Sequence, residues 1–212
     1  MKTLINTVRY SIEETQEAAT MLWKGGLVAI PTETVYGLTA NARDGVAVQK
    51  IFDLKDRDYE KPISVLVSGM EMVERYCQNI PPVAYRLAEK YWPGPLTMVL
   101  EDKGVVPLMV TAETDTLGVR CPDHPLALDI VKKADFPLAA TSANLSGKEP
   151  AKNAQEVLAY FDGKIEGVVD GGSSALGVAS TVVDLTEEEP KVLREGGIPT
   201  EELLAFIREH QA

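Results

Sequence analysis

Short apolar runs, each closed by proline, glycine or a cluster of hydroxyls, recur along this chain between segments of helical period. Leu27-Val28-Ala29-Ile30 stops at Pro31, and Ile63-Ser64-Val65-Leu66-Val67 stops at Ser68-Gly69. Leu138-Ala139-Ala140 runs into Thr141-Ser142-Ala143-Asn144. Runs this short and this apolar read as buried strands, and their interleaving with helices dictates a layered α/β sheet. Several strands adjoin across short turns, so the sheet is expected to be mixed rather than fully parallel.

Punctuation supplies the helix ends. Ser11-Ile12-Glu13-Glu14 has the form of a capping box and predicts a helix carrying Ala18, Ala19, Leu22 and Trp23 inward, stopped by Gly25-Gly26. Asp44 is expected to cap the next helix, with Val48, Ile51, Phe52 and Lys55 at helical spacing. Ser68-Gly69-Met70-Glu71 offers a second box. Pro81-Pro82 starts a helix anchored by Tyr85, Leu87, Ala88 and Trp92, and Pro93-Gly94-Pro95 forces a turn. Further strands are expected over 97–100, 117–120, 168–169, 181–183 and 191–193. Helices are expected over 125–133, around 157–161, and after a Thr200 cap. His124 reads as a structural cap. The 171–177 stretch reads as a mobile surface loop within one domain.

Charge narrows the partners. Twenty-one basic and 32 acidic side chains leave a net charge of −11, so any nucleic-acid contact must rest on a local basic site. With 212 residues at 45% hydrophobic, one domain over 1–212 can bury a continuous core. No apolar run approaches the ~18–20 residues that cross a bilayer, and the opening Met1 to Arg9 lacks a signal-like stretch. Two cysteines, Cys77 and Cys121, and two histidines, His124 and His210, disfavour a disulfide framework and a structural zinc site. A cytoplasmic protein is expected.

Three segments could carry chemistry. Pro31-Thr32-Glu33-Thr34-Val35-Tyr36-Gly37-Leu38 crowds hydroxyls against one carboxylate at a strand end, a common ligand position or else a self-satisfied turn. Lys55-Asp56-Arg57-Asp58-Tyr59-Glu60-Lys61-Pro62 holds three cations that could surround a polyphosphate, but also three carboxylates that could pair with them. Thr141-Ser142-Ala143-Asn144-Leu145-Ser146-Gly147 offers small polar groups after an apolar strand, for a ligand or for an Asx turn. Arg120 ends the apolar Leu117-Gly118-Val119 run and Arg194 follows Val192-Leu193; each could grip a carboxylate or phosphate, or equally be a rim charge paired with an acidic residue. The familiar phosphate loops and dinucleotide turns are absent.

Taken in order, these segments resemble the YrdC-type threonylcarbamoyl-AMP synthases. The resemblance includes Lys55-x-Arg57-x-x-x-Lys61-Pro62, Trp92-Pro93-Gly94-Pro95-Leu96-Thr97, Gly118-Val119-Arg120-x-Pro122 and Ser142-Ala143-Asn144-x-Ser146-Gly147. Ser180-Thr181-Val182-Val183-Asp184 and Leu193-Arg194-Glu195-Gly196 continue it, so that it spans nearly the whole chain. It implies a twisted mixed parallel/antiparallel sheet, partly open-barrel, flanked by helices, in the short stand-alone form.

The implied reaction joins L-threonine, bicarbonate and ATP into L-threonylcarbamoyl-AMP and pyrophosphate, for a tRNA modification completed by a separate transferase complex. By motif position, Lys55, Arg57, Lys61, Ser142, Asn144 and Arg194 would bind ATP, and Thr34, Arg120 and Ser180 would bind threonine. Mg2+ would travel on the ATP phosphates, with no dedicated protein ligands and no residue assigned as acid or base. Weak tRNA binding by the chain itself is compatible with the resemblance. Where some members read K-P-x-x-V-H, this chain has Leu66 in place of the histidine. The rivals are an RNA-binding module of the same fold without turnover, and a carbamoyl-adenylate-using transferase module.

Overall fold

The computed structural model describes residues 5–210, so the first four residues of the opening segment lie outside it. Through the first half the elements run β1 (Val8–Tyr10), α1 (Thr15–Trp23), β2 (Val28–Ile30), β3 (Gly37–Asn41), α2 (Gly45–Lys55), β4 (Ser64–Leu66), α3 (Met70–Tyr76) and β5 (Cys77–Gln78). They continue with α4 (Pro82–Tyr91), β6 (Leu96–Asp102), α5 (Leu108–Thr111), β7 (Thr116–Arg120), α6 (Pro125–Ala134) and β8 (Leu138–Ser142). The last are α7 (Ala154–Phe161), β9 (Gly167–Val169), β10 (Thr181–Asp184), β11 (Lys191–Arg194) and α8 (Thr200–His210).

One open mixed sheet organises the chain, in the order β1-β9-β2-β3-β8-β4-β7-β6-β10-β11, with β5 paired to β6. The sheet mixes parallel pairs β2–β9, β4–β7 and β6–β10 with antiparallel pairs β2–β3, β3–β8, β4–β8 and β6–β7. Helices bury their apolar stripes against it: α2 packs on β3, α7 on β9, and α1 against α6. Leu22, Ile51, Phe52 and Phe161 are at most 1% exposed, each contributing about 1.5–3 kcal/mol of burial. Among the described residues, no helix is long and apolar enough to cross a membrane.

Several helix ends differ from the sequence-based expectation. Helix α1 starts one turn later than the first box implies: Glu14 is its N-cap residue, and the Glu14 carboxylate reaches back to the Ser11 amide at 2.7 Å. Trp23, expected inward, is 72% exposed because the helix ends there. The second box fails since Gly69, not Ser68, occupies the N-cap position of α3 and no side chain caps it. Tyr85 lies on the rim, its hydroxyl donating to Glu74. His124 does sit at the N-cap of α6 but makes no capping bond; its buried Nδ1 has no partner among the described residues. Thr200 lies inside α8, its amide held by the Glu195 carboxylate at 2.8 Å. Asp44 caps α2 as expected, accepting from the Val46 and Ala47 amides. Both cysteines are buried free thiols, pushed up by desolvation to about 12 for Cys77 and about 11 for Cys121.

Two glycines permit close approaches that a side chain would block. A Cβ on Gly118 would lie 2.9 Å from Ser64 Oγ, so only glycine leaves that patch of sheet open. A Cβ on Gly196 would lie 2.2 Å from the Ala179 carbonyl oxygen, so only glycine lets the turn after β11 press against the entrance to β10. That second approach brings Arg194 over Ser180.

Candidate functional site

Where β2 ends at Ile30 and Pro31, Thr32 closes a turn on itself: its hydroxyl donates to the Val35 carbonyl at 2.6 Å and accepts from the Thr34 and Val35 amides. The self-satisfied turn is therefore present, and it borders a cavity. Thr32 satisfies the backbone, while Thr34 Oγ1 faces a cavity of about 300 Å3. Across that cavity Arg120, at the end of β7, donates through Nη2 to Glu33 Oε1 at 2.6 Å and to Thr34 Oγ1 at 3.1 Å. Its Nε reaches the Gly94 carbonyl at 3.2 Å, delivered by the Pro93-Gly94-Pro95 turn. Arg120 and Glu33 are each 8% exposed, so this is a buried ion pair holding a guanidinium in one orientation.

Beyond β7, the Thr97 hydroxyl of β6 and the Ser180 hydroxyl lie 2.8 Å apart. Arg194 from β11 clasps Ser180, donating to its carbonyl at 3.1 and 2.9 Å and to its hydroxyl at 3.1 Å. Burial, reinforced by Arg120, lowers the pKa of Arg194. On the β8 side stand Ser142 and Arg57. Arg57 is fixed by the carbonyls of Pro62 at 2.9 Å and Lys61 at 3.4 Å, and burial lowers its pKa too. Among the described residues lining the cavity, Arg57, Arg120 and Arg194 are the charged ones and none is a carboxylate. Arg120 has its counter-ion in Glu33, behind the lining, whereas Arg57 and Arg194 are bonded only to neutral oxygens. The cavity wall therefore carries an excess of positive charge suited to anionic groups.

Six of the nine sequence-predicted residues meet at this cavity: Thr34, Arg57, Arg120, Ser142, Ser180 and Arg194. The other three do not line it. Lys55, expected to support the phosphates, is 4% exposed and turns its ammonium inward. It donates to the Ser142 carbonyl, the Asn144 carbonyl at 2.7 Å and Asn144 Oδ1 at 3.2 Å. Asn144 is 7% exposed and accepts the Ser142 hydroxyl at 2.5 Å, so it orients Ser142 from behind. Lys61 is exposed on the loop before β4. Arg194, expected near nucleotide, lines the cavity and also bonds Ser180, a residue expected to hold threonine. Sequence reasoning assigned no role to Glu33, Thr97 or Ser64; the lone carboxylate among the threonines was the one available signal.

The 171–177 stretch, expected to be a mobile surface loop, is fastened to the site. Leu176 and Gly177 amides donate to the Glu33 and Thr34 carbonyls at 2.8 Å each, and the buried Tyr36 hydroxyl links the Gly171 amide to the Gly172 carbonyl.

Burial, with a smaller contribution from Arg57, draws the Lys55 ammonium from 10.5 to about 8. Between those values the unfolded chain binds more protons than the folded one, so Lys55 makes stability rise with pH across that window. Urea titrations of wild type and Lys55→Met from pH 8 to 10.5 are expected to diverge, with wild type gaining. Parallel curves would refute the buried charge.

Fold and cavity together define an α/β protein with an arginine-lined hollow set across the strands of a mixed sheet. The family profile of Sua5, YciO and YrdC, described as "Telomere recombination", matches residues 20–196. The chain belongs to that family. It is 46% identical over 209 residues to a threonylcarbamoyl-AMP synthase of Pyrococcus abyssi, covering 98% of this chain and 62% of that one. It is 42% identical to the Bacillus subtilis threonylcarbamoyl-AMP synthase, covering 90% of this chain and 56% of that one. The crystal structure of P. abyssi Sua5 complexed with L-threonine superposes with a TM-score of 0.90 at 44% identity, over 99% of this chain and 62% of that one. The chain thus spans about three fifths of these relatives' lengths.

Proposed function

We propose that this chain catalyses formation of L-threonylcarbamoyl-AMP from L-threonine, bicarbonate and ATP. The observation that carries the reading is the convergence of Arg57 and Ser142 with Thr34, Arg120 and Ser180 on one cavity whose lining, among the described residues, includes no carboxylate. The similarity to threonylcarbamoyl-AMP synthases supports it. Threonine's amine combines with bicarbonate to give the carbamate and water. A carbamate oxygen then attacks the α-phosphorus, and the bond to pyrophosphate breaks. Such a displacement asks for positioning and neutralisation of spreading charge, not an enzyme nucleophile.

Arg57 binds the phosphates, with Lys61 adding charge from the exposed loop. Ser142, held in place by Asn144 and Lys55, contacts the nucleotide, and Arg194 closes over it from β11. Arg120 takes the threonine carboxylate, and the Thr34 and Ser180 hydroxyls take its remaining polar groups. Leu66, 4% exposed in the cavity wall, supplies apolar surface where some relatives have histidine. The wall offers a divalent metal no carboxylate, so Mg2+ enters on ATP, coordinated by phosphate oxygens and water. The product serves a tRNA-modifying transferase, and any contact of this acidic chain with tRNA is weak.

Pyrophosphate release measured with all three substrates, and again with threonine omitted, tests the reading. Release that requires threonine and bicarbonate is expected. Undiminished release without threonine would point to another carbamoyl chemistry, and no release would overturn the proposal.

A further inference from the structure

Strand β4 lies between β8, which ends at Ser142, and β7, which ends at Arg120. If Ser142 contacts nucleotide and Arg120 holds the amino-acid carboxylate, the carbamate that joins the two substrates must form over β4. That strand presents Ser64 and Leu66 to the cavity. Ser64 pairs with Ala140 on β8, and the β7 register sets it beside Gly118. Its neighbours on both sides are therefore small, and the missing side chain at Gly118 leaves space around Ser64 Oγ.

The other cavity hydroxyls near Arg120 are already committed: Thr32 and Thr34 to each other, and Thr97 and Ser180 to each other. Ser142 gives its proton to Asn144 and can meet a ligand only as an acceptor. Ser64 Oγ has no hydrogen-bond partner among the described residues, although it borders the cavity. Thr141 shares that freedom but sits on β8, beside the nucleotide position.

We infer that Ser64 Oγ is the hydrogen-bond donor for bicarbonate and for the carbamate formed from it. The assignment rests on the function proposed above and deepens it by placing the one-carbon substrate. A hydrogen bond to an anionic oxygen contributes enough that its loss reads as about tenfold or more in apparent affinity.

Ser64→Ala, Ser64→Cys and Ser64→Thr are compared with wild type in steady-state pyrophosphate release, with bicarbonate, threonine and ATP varied in turn. Ser64→Ala and Ser64→Cys are expected to raise the KM for bicarbonate about tenfold, while the KM values for ATP and threonine stay within about twofold. Ser64→Thr, which restores the hydroxyl, is expected to recover most of the loss. Thermal melts confirm which variants fold, and the cysteine variant reports if the alanine variant does not. An unchanged bicarbonate KM, or an equal rise in all three, would overturn the assignment while leaving the reaction intact. Wild-type protein that releases no pyrophosphate would overturn the reaction itself, and this assignment with it.

Discussion

Arg120→Ala is expected to be the most damaging single substitution in the cavity, costing about 3–5 kcal/mol of stability as well as threonine-dependent turnover. Two effects combine. The variant loses the guanidinium fixed toward the Thr34 hydroxyl, and it leaves Glu33 buried without its cation. Glu33 has little reserve: its Oε2 is already buried without a partner among the described residues. The double variant Arg120→Ala, Glu33→Ala removes the stranded charge together with its counter-ion, so it should unfold at higher urea than Arg120→Ala alone while remaining inactive. A double variant no more stable than the single one would show that the ion pair is not what holds this corner.

Arg57→Ala should leave the fold nearly intact and lower ATP-dependent pyrophosphate release by about 10²–10³-fold. The side chain is half-buried and its bonds within the protein go to two carbonyls of the following loop, which water can take over. What it supplies is charge at the cavity wall, and exposed Lys61 cannot replace a fixed fork with a mobile ammonium. Release within threefold of wild type, in a variant with an unchanged melting temperature, would remove Arg57 from the phosphate site.

The architecture was legible where side chains announced it. Strands β2, β4 and β8 are short apolar runs bounded by proline, glycine or hydroxyls, and Asp44 and Pro82 mark helix starts on local chemistry alone. Strand β3 was not, because Gly37-Leu38-Thr39-Ala40-Asn41 contains a single large apolar residue. It is a strand because β2 and β8 bracket it, and four of its five residues are buried by those partners.

The cationic segment shows the same limit at the site. Lys55, Arg57 and Lys61 look equivalent in sequence, yet they take three destinations: the interior, the cavity and the surface. The cause is Asp56, whose left-handed conformation at φ 50° ends α2 and redirects the chain between the first two. The resemblance pointed to all three alike, whereas the bend shows that Arg57 lines the cavity.

The cavity draws on strands contributed from Thr32 to Arg194, and its two ends come together through β6 and β10, elements far apart along the polypeptide. A nascent chain leaving a ribosome would therefore carry no working pocket until nearly all of this length had emerged. Whatever the cavity binds, the full set of groups lining it exists only once β10 and β11 have joined the sheet.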